Sequence, residues 1–191
     1  MLHRHALGQF PAKPHTTLYE DGRLLLEQMI TREGFNGPFT ILYYRQPPTD
    51  EVEVSAFSAP GFCPVELAPD EPLQRRHIRT QDLEPGGDFL TGRRTLLVAD
   101  ALDLAVCKPR ASTRRFFSNG DGDELYFVTE GSGRVESVYG VLPFRRHDYV
   151  LIPKMTPYRL CFDEGAGAGA GGGSSAGASP SRGAAGGSPG S

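Results

Sequence analysis

The sequence has no long apolar run. Nowhere do about 18 apolar residues follow one another, which excludes a helical membrane span. The opening stretch MLHRHALGQFPAKPH lacks the apolar core of roughly 7 to 15 residues that a secretory signal needs. Cysteine is scarce: Cys63, Cys107 and Cys161 are odd in number, far apart and without metal-type spacing, so they read as reduced thiols rather than a disulfide scaffold. Charge of one sign is also missing. Lys and Arg number 20 against 23 Asp and Glu, a net charge of −3, which leaves no electrostatic footprint for nucleic acid and implies no basic partner surface. Collagen and coiled coil are excluded by composition as well. These absences together predict a soluble chain in a reducing compartment, the cytoplasm, with neither nucleic acid nor membrane as partner.

A further absence divides the chain. Residues 165 to 191 are Gly, Ala, Ser and Pro plus the single Arg182, with no Leu, Ile, Val, Phe, Tyr or Met. Nothing there offsets the entropy of ordering, so a disordered tail is predicted. All 11 Phe and 7 Tyr lie before it, enough for one sizeable core. Residues 1 to 20 are polar and broken by Pro11 and Pro14 around Lys13, and read as an extended arm. The domain proper is then 21 to 164. Helical periodicity occurs once: in RLLLEQMITREG, Leu25, Leu26, Met29 and Ile30 give one apolar face and Gly34 a left-handed cap, predicting a short N-terminal helix.

Beyond it the pattern has the period of a strand. FTILYYR is aromatic and β-branched, and EVEVSAF sets Val52, Val54 and Ala56 against Glu51, Glu53 and Ser55. Four prolines, Pro60, Pro64, Pro69 and Pro72, make residues 58 to 73 a loop. Strands are predicted at RRHIRT, TLLVA, LDLAVCK, ELYFVTE, GRVESVYG, DYVLIP and PYRLCF, linked through turns at Gly131, Gly133, Gly140 and Pro143. Many short strands and almost no helix predict a mainly all-β fold, a β-sandwich or jelly roll.

Residues 116 to 162 carry a resemblance. Asn119, Asp121, Asp123 and Glu124 lead into the apolar strand Tyr126, Phe127, Val128, followed by Glu130-Gly131, Tyr139-Gly140, Asp148-Tyr149, Ile152-Pro153, Thr156, Tyr158 and Arg159. Upstream stand Gly8, Pro11, Lys13 and His15, then Glu33-Gly34-Phe35, Leu42-Tyr43-Tyr44 and Pro47-Pro48-Thr49. This order resembles the cupins, and more narrowly the N-terminal half of the homogentisate 1,2-dioxygenase family, over residues 1 to about 164. The resemblance implies a cupin-like jelly roll. It also implies a family reaction, the Fe(II)- and O₂-dependent opening of a dihydroxylated aromatic ring in tyrosine and phenylalanine catabolism. There are departures: Thr129 stands where the family has His, and His147 and Met155 replace glycines at turns where positive φ is expected.

Cupin enzymes hold their metal with two His before the Glu of the first motif and one His after the Pro-Gly turn of the second, since Fe(II) needs neutral imidazoles and a carboxylate with open positions. Here those positions are Ser118, Gly120 and Tyr158, and Glu124 alone remains. The resemblance therefore implies no catalytic or metal residue and no cofactor in this chain, with Fe(II) held only by a C-terminal cupin half that is its expected partner, or with like chains as partners in a homo-oligomer. Whether such a chain is an enzyme at all is left open by the same reasoning. Other arrangements stand beside this one. His77, His147 and Glu124 are the set from which an unusual metal site would be drawn, while His3, His5 and His15 lie in the arm. Asn119, Asp121, Asp123 and Glu124 suit a hard cation or, more simply, a solvated acidic turn. Arg110, Arg114 and Arg115 with Arg145 and Arg146 suit a small acid or, more simply, guarded strand edges. The aromatics Tyr43, Tyr44, Phe57, Tyr126 and Phe127 read as core.

Overall fold

A computed structural model of the chain describes residues 12–13, 17–58, 60–62, 72 and 74–164. The expected tail at 165–191, most of the expected arm, Cys63 and most of the proline loop lie outside the described residues. What is described is mainly β. Two residues of the arm's end form β1 (Tyr19–Glu20), which pairs with β2 (Arg23–Leu24). Then come β3 (Leu26–Glu33), β4 (Asn36–Tyr44), β5 (Arg93–Ala99) and β6 (Leu102–Cys107), all in antiparallel hairpins. The last third holds β7 (Glu124–Phe127), β8 (Ser132–Ser137), β9 (Gly140–Arg145), β10 (Tyr149–Ile152) and β11 (Tyr158–Phe162). There β10 pairs with β7, and β8 is the centre of a three-stranded sheet ordered β11-β8-β9. Two short 3-10 turns, Pro60–Phe62 and Thr80–Asp82, are the remaining regular elements described.

The predicted N-terminal helix is a strand. Residues 26 to 33 zip onto β4, from Leu26 opposite Tyr44 to Glu33 opposite Asn36. The cause is the partner: β4 is rich in aromatic and β-branched residues, whose packing on a pleated surface overrides the weak helical spacing of four apolar residues. Gly34 does take a positive φ of 65°, but as the tip of a hairpin rather than a helix cap. Two predicted strands, EVEVSAF and RRHIRT, are irregular apart from Thr80, which opens the second 3-10 turn. Both have the alternation of a strand and no ladder among the described residues. Val52 is 99% exposed accordingly. Conversely, three residues expected in links lie in strands, Gly133 in β8 and Gly140 and Pro143 in β9. A proline is tolerated there because β9 is the edge of its sheet.

Among the described residues the core is confined to the later half. Its buried members are Phe89, Leu90, Val135, Phe144, Val150, Ile152, Tyr158 and Leu160, with Cys107, Phe117, Tyr126, Val128 and Phe162 packed against them. Strand β8 crosses its partner closely enough that Gly133 is obligatory, since a Cβ there would lie 2.2 Å from the Cys161 carbonyl oxygen. The turns into β10 and β11 bear out the two non-glycine departures: His147 and Met155 sit at φ 73° and 68°. Both pay the strain of the left-handed region.

Candidate functional site

Strand β7 has an unusual polarity. Its buried face carries Glu124 and the largely buried Tyr126, while Leu125 and Phe127 face outward and are exposed. Strand β10 follows suit through its register: Ile152 opposite Glu124 and Val150 opposite Tyr126 are buried, and Leu151 and Tyr149 are not. Glu124 is only 6% exposed. A carboxylate so placed needs compensation, or it costs several kcal/mol of lost hydration (about 2–7 for polar groups, more for ions).

Three side chains supply it. Arg93, at the start of β5, donates from one terminal guanidinium nitrogen to Glu124 Oε1 at 3.0 Å. The Tyr158 hydroxyl, on β11, donates to Oε2 at 2.6 Å, and the Tyr126 hydroxyl reaches Oε1 at 3.1 Å. The two phenols also touch each other. With Tyr158's proton committed to Oε2, Tyr126's proton is shared between Oε1 and the Tyr158 oxygen. Tyr158, at 0% exposure, is the most buried large side chain described. Burial, followed by the charge of Glu124 beside it, drives the Tyr126 ionisation well above the ordinary phenol value. Tyr158 moves the same way, from burial first and then from Tyr126 and Glu124. Both therefore act as neutral hydrogen-bond donors to an anion.

Aromatic rings enclose this cluster. Phe89 lies 5.4 Å from Tyr158 and 6.3 Å from Tyr126 between centroids, and Phe117 lies 6.0 Å from both Phe89 and Tyr158. Phe62 packs on Phe117 at 5.0 Å and also covers the Arg93 guanidinium, whose central carbon is 4.7 Å from its ring centroid. Gly61 makes that possible, because a Cβ there would come within 2.6 Å of the Arg93 stem. The Nε of Arg93 is buried without a hydrogen-bond partner among the described residues, so the guanidinium meets the carboxylate by one prong rather than two.

Of the residues singled out in the sequence, the fold brings Glu124, Tyr126 and Tyr158 together, and it does not bring His77 or His147 to them. His77 is exposed in an irregular segment, and His147 is exposed in its turn, stacked on Phe127 with planes 7° apart. Among the described residues no three His, Cys, Asp or Glu side chains converge as a metal group. The acidic turn satisfies itself: Asn119 Oδ1 accepts from the amides of Asp121 and Gly122, and Asp123 accepts from the Lys154 amide and pairs with Arg32. Arg110, Arg114, Arg115, Arg145 and Arg146 are all exposed, and Arg146 donates to the Thr129 carbonyl. Cys107 and Cys161 are free thiols, and burial pushes the Cys107 thiol up to about 11. Arg93 and the pairing of Tyr126 with Glu124 were not anticipated. The i, i+2 spacing of Glu124 and Tyr126 places them on one strand face, and that was the available signal.

These residues do not fit a bound metal ion. The one carboxylate is filled, its neighbours are protonated phenols that donate rather than accept, and Ser118 and Gly120 offer no imidazole. No family model matches the chain. The sequence is similar to that of a Saccharolobus solfataricus protein named "Putative dioxygenase", with 30% identity over 167 residues. The match covers 87% of this chain and 43% of that protein. The chain thus spans less than half the length of the curated relative it matches. No helix among the described residues is long and apolar enough to cross a membrane.

Proposed function

We propose that the chain is a dioxygenase-type β-domain, related to the N-terminal half of the homogentisate 1,2-dioxygenases, that supports a redox centre without housing it. In this reading the ring-opening chemistry and its Fe(II) belong to a second, C-terminal cupin half. The supporting observation is the combination of likeness over 87% of the chain with a Glu124 carboxylate already neutralised by the chain's own Arg93. Free thiols at Cys107 and Cys161 suit a reducing cytoplasm.

The test is oxygen uptake with homogentisate and anaerobically added Fe(II). The chain alone is expected to show no turnover, and turnover is expected when the C-terminal half of a relative is co-expressed with it. Turnover by the chain alone would overturn the reading.

One observation favours a second reading, a non-catalytic module that assembles with its own copies. The outer face of the β7–β10 ribbon presents cross-strand apolar pairs, Phe127 with Tyr149 and Leu125 with Leu151, all exposed. Phe127 and Tyr149 are 4.7 Å apart between ring centroids, so they form one patch. Sedimentation of the chain and of Phe127→Arg distinguishes the two: self-association lost in the variant supports assembly, and a monomer in both removes it.

A further inference from the structure

The buried cluster can be weighed by charge alone, and the result does not depend on the dioxygenase reading. Glu124 contributes one negative charge in a site where only 6% of it meets water. Its two phenol neighbours contribute none. A single monovalent cation therefore brings the site to neutrality, whereas a divalent ion in the same place would leave a net positive charge in a medium of low dielectric. The donors and surfaces also select for shape. An oxygen with space for an N–H faces the cation, and the flat ring of Phe62 lies over the guanidinium carbon at 4.7 Å. A planar, weakly hydrated cation can stack there, and a hydrated ammonium or metal ion cannot do so without first losing its water.

We propose that Glu124, Tyr126, Tyr158 and Phe62 form a binding site selective for a planar guanidinium cation, and that the chain fills this site with its own Arg93. The 3-10 turn at Pro60–Phe62 is the lock. Gly61 lets the Arg93 stem pass against the backbone, and Phe62 closes over the charged end. The one-pronged contact, and an Nε buried with no hydrogen-bond partner among the described residues, show that β5 delivers the group from a fixed direction rather than at its best angle. A free guanidinium ion, untethered, can turn to face the carboxylate with two nitrogens.

Chemical rescue tests this. In the full chain, Arg93→Ala removes the resident cation and leaves Glu124 with its two phenol donors and no opposite charge. Addition of guanidinium chloride at about 20 mM, against equal sodium chloride, is expected to raise the Tm of this variant by about 3 to 5 °C through ligand linkage. Ammonium chloride and manganese(II) chloride are expected to raise it by less than a third of that. The wild-type chain, with its site filled, and Arg93→Ala/Glu124→Gln, with its anion removed, are expected to gain nothing from guanidinium. A rescue by manganese and not guanidinium, or an equal guanidinium response in the Glu124→Gln background, would overturn the proposal. Should Arg93→Ala not fold, the milder cycle of Arg93→Lys, Glu124→Gln and their double variant replaces it. A double variant no less stable than the weaker single supports the pairing, and strict additivity overturns it.

Discussion

Two antiparallel strand pairs, the β3–β4 hairpin and the β7–β10 ribbon, meet different fates. The β3–β4 hairpin carries Ile30, Phe39, Ile41, Tyr43 and Tyr44, yet no residue between 17 and 58 is fully buried. The β7–β10 ribbon is shorter, and it buries Glu124, Val150 and Ile152 against Tyr158 and Phe89. Apolar content does not make a core by itself. A ribbon of two strands is marginal until a second layer covers one face. β7 and β10 have that layer in the β11-β8-β9 sheet and the Phe89–Leu90 corner. Between the early hairpin and the later region, the Arg32–Asp123 ion pair is exposed and weak, and Tyr44 at the end of β4 lies near Tyr139. The tip of the early hairpin, Phe35, is 98% exposed. Local opening should therefore be easy in one region and close to global unfolding in the other.

The largest break in this contrast is expected from Gly133→Ala. The added methyl meets the Cys161 carbonyl oxygen and Phe144 in the centre of the three-stranded sheet, so the change should cost about 3 kcal/mol, at the upper end of overpacking losses. Chemical denaturation checks it. A loss near zero would mean that β8 and β11 can part without harm. Next comes Tyr158→Phe, which removes one donor from the buried Glu124 and one contact from Tyr126, with an expected loss of about 1–3 kcal/mol. Phe35→Ser, the counterpart in the early hairpin, is expected to change the unfolding free energy by less than about half a kcal/mol.

Much of the contrast could be seen in the sequence, and some could not. The Asn119 turn and the strands from 93 onward, β9 apart, follow from residue type and spacing, whereas the positive φ at 147 and 155 was implied by the resemblance, whose glycines His147 and Met155 replace. The helix expected at residues 23 to 34 did not form, because pairing with the β-rich β4 overrode the helical spacing of its four apolar positions. β9 was hidden by Pro143, which marks a turn unless one knows that the strand is an edge. The site was half visible. Glu124 and Tyr158 were singled out by family spacing, but a hydrophobic reading of ELYF would turn Leu125 and Phe127 inward, and the protein turns them outward. Arg93 lies 31 residues from Glu124, on another hairpin, and only folding joins them.

Alkaline pH sharpens the comparison at intermediate size. Tyr126 and Tyr158 ionise above the ordinary value of 10.0 in the native state and near it when unfolded. Above that pH the native state holds protons that the unfolded chain releases, so the stabilisation they give is complete below about pH 10 and falls as pH rises further. Absorbance at the phenolate band should show Tyr126 and Tyr158 titrating only with unfolding, and the Tyr126→Phe/Tyr158→Phe variant should lose less stability between neutral and alkaline pH than the wild type. Ionisation of both phenols in the still-folded chain near pH 10 would contradict their burial. The smallest effect is a gain. Met155→Gly relieves the φ of 68° and is expected to stabilise by up to about 1 kcal/mol, less whatever the unfolded chain gains in freedom.

The central claim is that Glu124 belongs to Arg93 and not to a metal. Anaerobic titration of Fe(II) into the purified chain, with Glu124→Gln as control, tests it most directly. The account predicts no stoichiometric uptake that depends on Glu124, and binding of one equivalent at micromolar affinity, lost in Glu124→Gln, would contradict it.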